Sequence, residues 1–177
     1  MKKILLSALI SAISFGNFAQ MFNMSDGLVY TDGTYTSLYT GTFTVNDLSG
    51  KLWRKVKTLD GKLNGACYYY YPNGQLWGNM HYKNNILEGD QTIYYENGQL
   101  KSKEYFVDGK MHGYNVHYYE NGKIKEEANL NHGVWEGKYA CYDINGILWQ
   151  GGYCKQNKPI GTWVMDNGPN GIRTVMF

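Results

Sequence analysis

Residues 89–112 read GDQTIYYENGQLKSKEYFVDGKMH, two strand-forming runs set between turn residues. Thr92-Ile93-Tyr94-Tyr95 and Lys103-Glu104-Tyr105-Phe106-Val107 are rich in β-branched and aromatic side chains, which fit a pleated, half-buried surface. Asn97-Gly98 separates the runs and Asp108-Gly109 closes the second. Type I′ hairpin turns need positive φ at both central residues, which Asn, Asp and Gly tolerate, so the stretch reads as one hairpin followed by a further turn.

The same unit recurs every 24 residues on either side. Gly41, Gly65, Gly89, Gly113, Gly137 and Gly161 keep that spacing, as do Asn73-Gly74, Asn97-Gly98, Asn121-Gly122 and Asn145-Gly146, with Ser49-Gly50 in the same phase. A third series runs Gly61, Asn85, Gly109, Gly133 and Asn157. Read as turn punctuation, the three series divide residues 41–160 into five units of two strands each. The expected fold is all-β: an elongated antiparallel meander of stacked hairpins, as a single-layer or open twisted sheet.

Pairing about the Asn-Gly turns assigns the faces, because alternate residues of a strand point to opposite sides. With Asn97-Gly98 as the loop, Tyr95 opposes Leu100 and Tyr94 opposes Lys101; around Asp108-Gly109, Phe106 opposes Met111. The expected core face collects Tyr71, Tyr95 and Tyr119 with Leu76, Leu100, Ile124 and Leu148, then Tyr82, Phe106 and Leu130 opposite Leu87, Met111 and Trp135. The other face carries one tyrosine per unit, Tyr70, Tyr94, Tyr118 and Tyr142, beside Trp77, Lys101, Lys125 and Trp149, with Asn64, Glu88, His112 and Glu136. Two strands per unit put those tyrosines roughly 10 Å apart.

Composition agrees. Glycine supplies 22 of 177 residues, about 12% against an average near 7%, and tyrosine another 17. The aromatic content excludes a disordered chain, the absence of a triplet glycine period excludes collagen, and scarce Ala, Leu and Glu exclude a coiled coil. Lys2 and Lys3 precede an apolar stretch, Ile4 to Ile13 broken only by Ser7 and Ser11, and Ala19 follows, so residues 1–19 are expected to be a signal peptide. Without Lys2 and Lys3, basic and acidic side chains balance at 15 each. Such a balance, with no basic run, argues against nucleic acid, whose binding rests on phosphate neutralisation, and gives no indication of membrane association. Residues 20–40 and 164–177 depart from the pattern and are expected to cap an array spanning 41–163.

The usual carriers of chemistry are absent. No Gly-x-Ser-x-Gly, His-Glu-x-x-His, P-loop or Cys-x-x-Cys occurs. His81, His112, His117 and His132 are not spaced as metal ligands, so neither metal nor cofactor is expected. Glu126-Glu127 alternates across the sheet and reads as part of a solvated face. Cys67, Cys141 and Cys154 lie too far apart in the expected register for a disulfide; Cys141 opposes Gln150, which leaves Cys154 four residues further along that strand, so three buried thiols are expected.

The unit from Gly89 to Leu100, followed by Tyr105-Phe106 and Asp108-Gly109-Lys-Met-His-Gly113, resembles the variant MORN repeat shared by bacterial proteins labelled YwqK-family antitoxins. Tyr-Tyr-x-Asn-Gly-x-Leu recurs nearly whole three times, whereas Asp143 stands where a second tyrosine is expected. The resemblance implies stacked hairpins acting in protein–protein contact or surface attachment, with no catalytic residues to carry over. The expectation is therefore an exported bacterial protein, periplasmic or secreted, that is not an enzyme. It binds a protein partner, a toxin in the immunity-type reading, with Tyr70, Tyr94, Tyr118, Tyr142, Trp77 and Trp149 as contact residues and Gly74, Gly98, Gly122 and Gly146 as structural turns. Two alternatives stand beside it: the tyrosine row does no more than stabilise the sheet, or it offers flat platforms to an envelope glycan. One uncovered apolar face also leaves room for self-association.

Overall fold

The structure is a computed structural model describing residues 28–30, 37–166 and 171–177, together with the backbone of two short strands, β1 (Ala12–Phe15) and β2 (Phe18–Met21), which pair only with each other. The rest of the expected signal peptide, and residues 22–27, 31–36 and 167–170 of the expected caps, lie outside the described residues. The main sheet begins with β3 (Gly41–Asn46), β4 (Leu52–Leu59), β5 (Lys62–Leu63), β6 (Gly65–Tyr70), β7 (Leu76–Lys83) and β8 (Ile86–Tyr94). It continues through β9 (Leu100–Val107), β10 (Lys110–Met111), β11 (Gly113–Tyr118), β12 (Ile124–Asn131), β13 (Val134–Tyr142), β14 (Leu148–Lys155), β15 (Lys158–Asp166) and β16 (Ile172–Met176). Strands pair antiparallel in chain order from β3 to β16, with β5 and β10 as short leading pieces of β6 and β11, and the two ends do not meet. The fold is the open all-β meander expected from the repeat.

The three glycine-rich series have three different structural roles. Asp60-Gly61, Asn84-Asn85, Asp108-Gly109, His132-Gly133 and Gln156-Asn157 have positive φ at both positions, and the flanking residues pair directly, as in Val107 with Lys110. These are the two-residue type I′ turns. The Asn-Gly turns differ from the expectation. Gly98 N–H donates to Tyr95 O (2.9 Å), Tyr95 N–H donates to Gln99 O (2.7 Å), and Gly98 alone in that loop has positive φ, 84°. That is a type I turn closed by a glycine bulge, and the Asn97 carboxamide oxygen stabilises it by accepting from Gln99 N–H at 2.9 Å. Its extra residue is absorbed one step into the next strand: Tyr94 pairs with Leu100 rather than Lys101, Lys101 is bulged out, and Ile93 returns to Ser102. The remaining series, at the 24-residue glycines, is not a set of turns. Gly65, Gly89, Gly113, Gly137 and Gly161 lie inside or at the start of strands with φ between 64° and 115°. Irregular pairing accompanies them, as where Met80 pairs with Gln91 but Tyr82 with Leu87.

Because the turn bulge and the strand bulge cancel, the register deeper in each hairpin is the expected one, including Cys141 opposite Gln150. One face, here the cysteine face, holds the core. Val29, Phe43, Val45, Val56 and Cys67 form one buried cluster, and Ala128, Tyr139, Cys141, Cys154 and Trp163 another. All three cysteines are buried and free, as expected. Val29 enters the first cluster from the preceding segment, held by hydrogen bonds from its N–H to Gly61 O and from Tyr39 N–H to its own carbonyl, both 2.8 Å. At the other end β16 pairs along β15.

Adjacent units are tied by side chains at the repeat period. Tyr71 donates to Tyr94 O (2.8 Å), Tyr95 to Tyr118 O (2.6 Å) and Tyr119 to Tyr142 O (2.8 Å). The second tyrosine of each Tyr-Tyr pair thus satisfies a backbone acceptor one unit on, which explains why a polar aromatic recurs there.

A candidate tyrosine-bearing binding face

The face opposite the cysteines is the tyrosine face. Tyr70, Tyr94, Tyr118 and Tyr142 lie on it as expected, one per unit, pairing with Leu76, Leu100, Ile124 and Leu148. All four are half-buried, so the row is partly consumed in packing. The turn bulge removes their expected tryptophan neighbours. Trp77 falls opposite no residue of β6 and its ring meets Tyr69 edge-on at 5.8 Å, whereas Trp149 is 56% exposed. The structure therefore brings the four tyrosines together and leaves the two tryptophans out of their row.

A second row on the same face is more open. Tyr105, Tyr114 and Tyr153 are 41%, 52% and 60% exposed, and Tyr153 pairs with Ile160. Sequence reading missed this row because it is broken: Tyr105 and Tyr153 stand two periods apart with Asn129 at the position between them, and Tyr114 is in a different phase.

Between the rows sits Glu127, only 9% exposed despite the expected solvated face. Its strand neighbours across β11 and β13 are Val116 and Ala140, both buried, so the carboxylate is drawn out of water by apolar walls. It is met by the Tyr114 hydroxyl at 2.7 Å, the Tyr142 hydroxyl at 2.8 Å and the Lys138 ammonium at 2.9 Å. Burial pushes the Glu127 carboxyl up, but the hydrogen bonds from Lys138, Tyr114 and Tyr142 outweigh it and leave the pKa below the usual 4.5. Burial and then the bond to Glu127 push both phenols up. The arrangement fixes the orientation of an exposed tyrosine and a half-buried one. One signal was available: Glu127 occupies the repeat position of Asn79 and Lys103, so a carboxylate there is peculiar to its unit.

The histidines are dispersed. His117 Nε2 lies 3.0 Å from Glu104 Oε1 on the cysteine face, and that bond raises its pKa above 6.5. His112 and His132 meet edge to face at 4.9 Å, and His81 Nδ1 lies 3.3 Å from Asp90 O. Among the described residues no group of three or more His, Cys, Asp or Glu side chains gathers as metal ligands.

No curated protein matches this chain. Among solved structures it is similar to one titled "Crystal structure of GtfA/B complex bound to UDP and GlcNAc", at 15% identity over 70% of this chain and 26% of that one, with a TM-score of 0.29. The chain thus spans about a quarter of that protein's length. The model of the MORN repeat variant matches residues 63–84, 87–108 and 111–132, one 24-residue step apart, and each match starts just after one type I′ turn and ends in the next. The chain carries MORN-variant repeats, three of them in direct succession.

Proposed function

We propose that this chain is an exported, non-enzymatic repeat protein that binds another protein through the tyrosine face. The observation that carries the reading is the open row Tyr105, Tyr114, Tyr153 and Ile160, set on a single sheet layer with Tyr114 held in place by Glu127. Aromatic side chains with fixed rotamers supply contact area at low entropic cost, which is what hot spots of protein interfaces require. Repeats of this class commonly mediate protein or membrane binding, and the charge balance favours the protein. In its finer form the partner is a toxin met in the cell envelope, since the basic and apolar start at residues 2–13 reads as an export signal and an immunity-type protein would act there.

Affinity capture from an envelope fraction tests the reading, comparing the tagged chain with a Tyr105→Ser, Tyr153→Ser double variant. The expected result is one protein partner retained by the first and lost by the second at unchanged circular dichroism. Equal capture by both refutes the face; retention on purified envelope polysaccharide instead of a protein assigns it to a glycan. Recovery of the tagged chain from the cytosol with Met1 intact refutes export.

A further inference from the structure

On the cysteine face a small open pocket of about 50 Å³ lies over β10 to β13, walled by Met111, Leu130 and Trp135 and carrying the polar groups of Asn115, His117 and Glu126. Two of the three polar groups are already committed. Asn115 accepts from Tyr105 N–H (3.0 Å) and donates to His112 O and Gly113 O (3.3 and 3.0 Å). His117 is bound to Glu104, whose other oxygen accepts from Gln91 at 2.8 Å. The Glu126 carboxylate, paired across the sheet with His117, has no hydrogen bond or ion pair among the described residues.

The repeat shows that this charge is not required by the fold. One scaffold position recurs in every unit, so a demand of the sheet would recur with it. Where this unit has the cross-strand pair His117 and Glu126, the equivalent pairs are Val45 with Arg54, Tyr69 with Gly78, Ile93 with Ser102 and Cys141 with Gln150, none of which carries a carboxylate. Glu104 likewise stands at the position of Met80 and Ala128. Glu104, which is not part of the pocket lining, ion-pairs with His117 when that ring is protonated, so the Glu126 charge within the pocket is left uncompensated by it. Trp135 is 38% exposed, and Tyr139 backs its ring at 5.0 Å. An open indole beside an unpaired carboxylate favours a cation, by cation–π attraction and ion pairing together.

Size selects the kind of cation. About 50 Å³ exceeds a water's share of roughly 30 Å³ but falls far below the roughly 300–1,000 Å³ of small-molecule sites. The pocket fits the end of one side chain. We propose that it receives the ammonium of a lysine from a partner protein, with Glu126 as counter-ion and Trp135 as the aromatic wall. The site lies on the face opposite the tyrosine rows and stands independently of them.

The test is NMR titration of the full chain, following the Trp135 indole N–H and the His117 ring, with blocked lysine (Nα-acetyl-lysine N-methylamide), its neutral analogue blocked norleucine, and methylammonium. Blocked lysine should give saturable shifts, norleucine should bind at least about tenfold more weakly, and Glu126→Gln should weaken the lysine compound by about tenfold with the remaining spectrum unchanged. Trp135→Leu should weaken it as well. Equal binding of norleucine, an unaltered response in Glu126→Gln, or no shift with blocked lysine overturns the site. Methylammonium binding as tightly as blocked lysine assigns it to free amines and overturns the side-chain reading.

Discussion

Replacing Glu127 by alanine removes a buried acceptor from three donors, and the structure lets the cost be worked out. A hydrogen bond to a charged group contributes about 1.5–3 kcal/mol where the partner is left without a substitute. Lys138 is 56% exposed at its side chain, so its bond counts as a surface pair of about 0–1 kcal/mol. Tyr114 is 52% exposed, and its hydroxyl recovers water when the carboxylate goes. Tyr142 is half-buried and carries most of the loss. Against these stands the desolvation of Glu127 itself, relieved by the substitution. The net expectation for Glu127→Ala is a loss of about 2 kcal/mol, and for Lys138→Ala about 0.5 kcal/mol or less. With a urea m-value of about 2 kcal/mol/M, Glu127→Ala lowers the midpoint by about 1 M. A double-mutant cycle with Tyr142→Phe should show coupling of about 1 kcal/mol. Because a repeat array can unfold in parts, m must be compared between variants and the loss localised by hydrogen exchange to β11–β14. The pH dependence follows from the depressed pKa. Glu127 contributes its full stabilisation above 4.5, its unfolded value, and loses it as pH falls through the lower folded value. The gap between wild type and Glu127→Ala should therefore be constant near neutrality and narrow in acid. A midpoint shift below about 0.2 M, or a gap that widens in acid, would refute the account.

Tyr95→Phe deletes the hydroxyl that bridges to Tyr118 O and should cost about 1 kcal/mol by urea unfolding. Tyr94→Phe, its neighbour on the opposite face, should be neutral within about 0.5 kcal/mol; equal costs would sink the assignment of the second tyrosine as the inter-unit tie. Gly152→Ala places a Cβ at 2.5 Å from the Trp163 indole, an overpacking of about 1–3 kcal/mol or more. Gly122→Ala meets nothing within 4 Å and suffers only from φ of 81°, about 1 kcal/mol. If thermal melts order these two the other way, the packing of the second cluster is not as described.

Much of the fold was legible in one unit read against its copies. Asp108-Gly109 and His132-Gly133 form type I′ turns because both residues sit at positive φ, a local property that the dipeptide itself carries. Asn97-Gly98 has the same local chemistry, yet with Tyr95-Glu96 before it the chain closes a longer loop that uses only the glycine's left-handed conformation. Dipeptide composition does not distinguish the two turns; the flanking hydrogen bonds do. Gly89 and Gly137 looked like punctuation as well, but they are bulges inside β8 and β13, visible only once the partner strands are in place. The tyrosine row was readable because it is periodic. Glu127 with its three donors, and Glu126 beside Trp135, were not readable, because each departs from the period and takes its character from neighbours 11 to 15 residues away or from the opposite strand.

The sequence by itself determined the class, the repeat length, the strand count to within the ends and the interior register, since turn conformation and side-chain alternation are local and repeat every 24 residues. Only the tertiary structure decided how the bulges redistribute side chains near the turns, which tyrosines are spent holding units together and which remain open, and that two adjacent glutamates have opposite environments. Glu126 and Glu127 differ by one residue in sequence, but the pleat sends them to different faces, where different strands meet them.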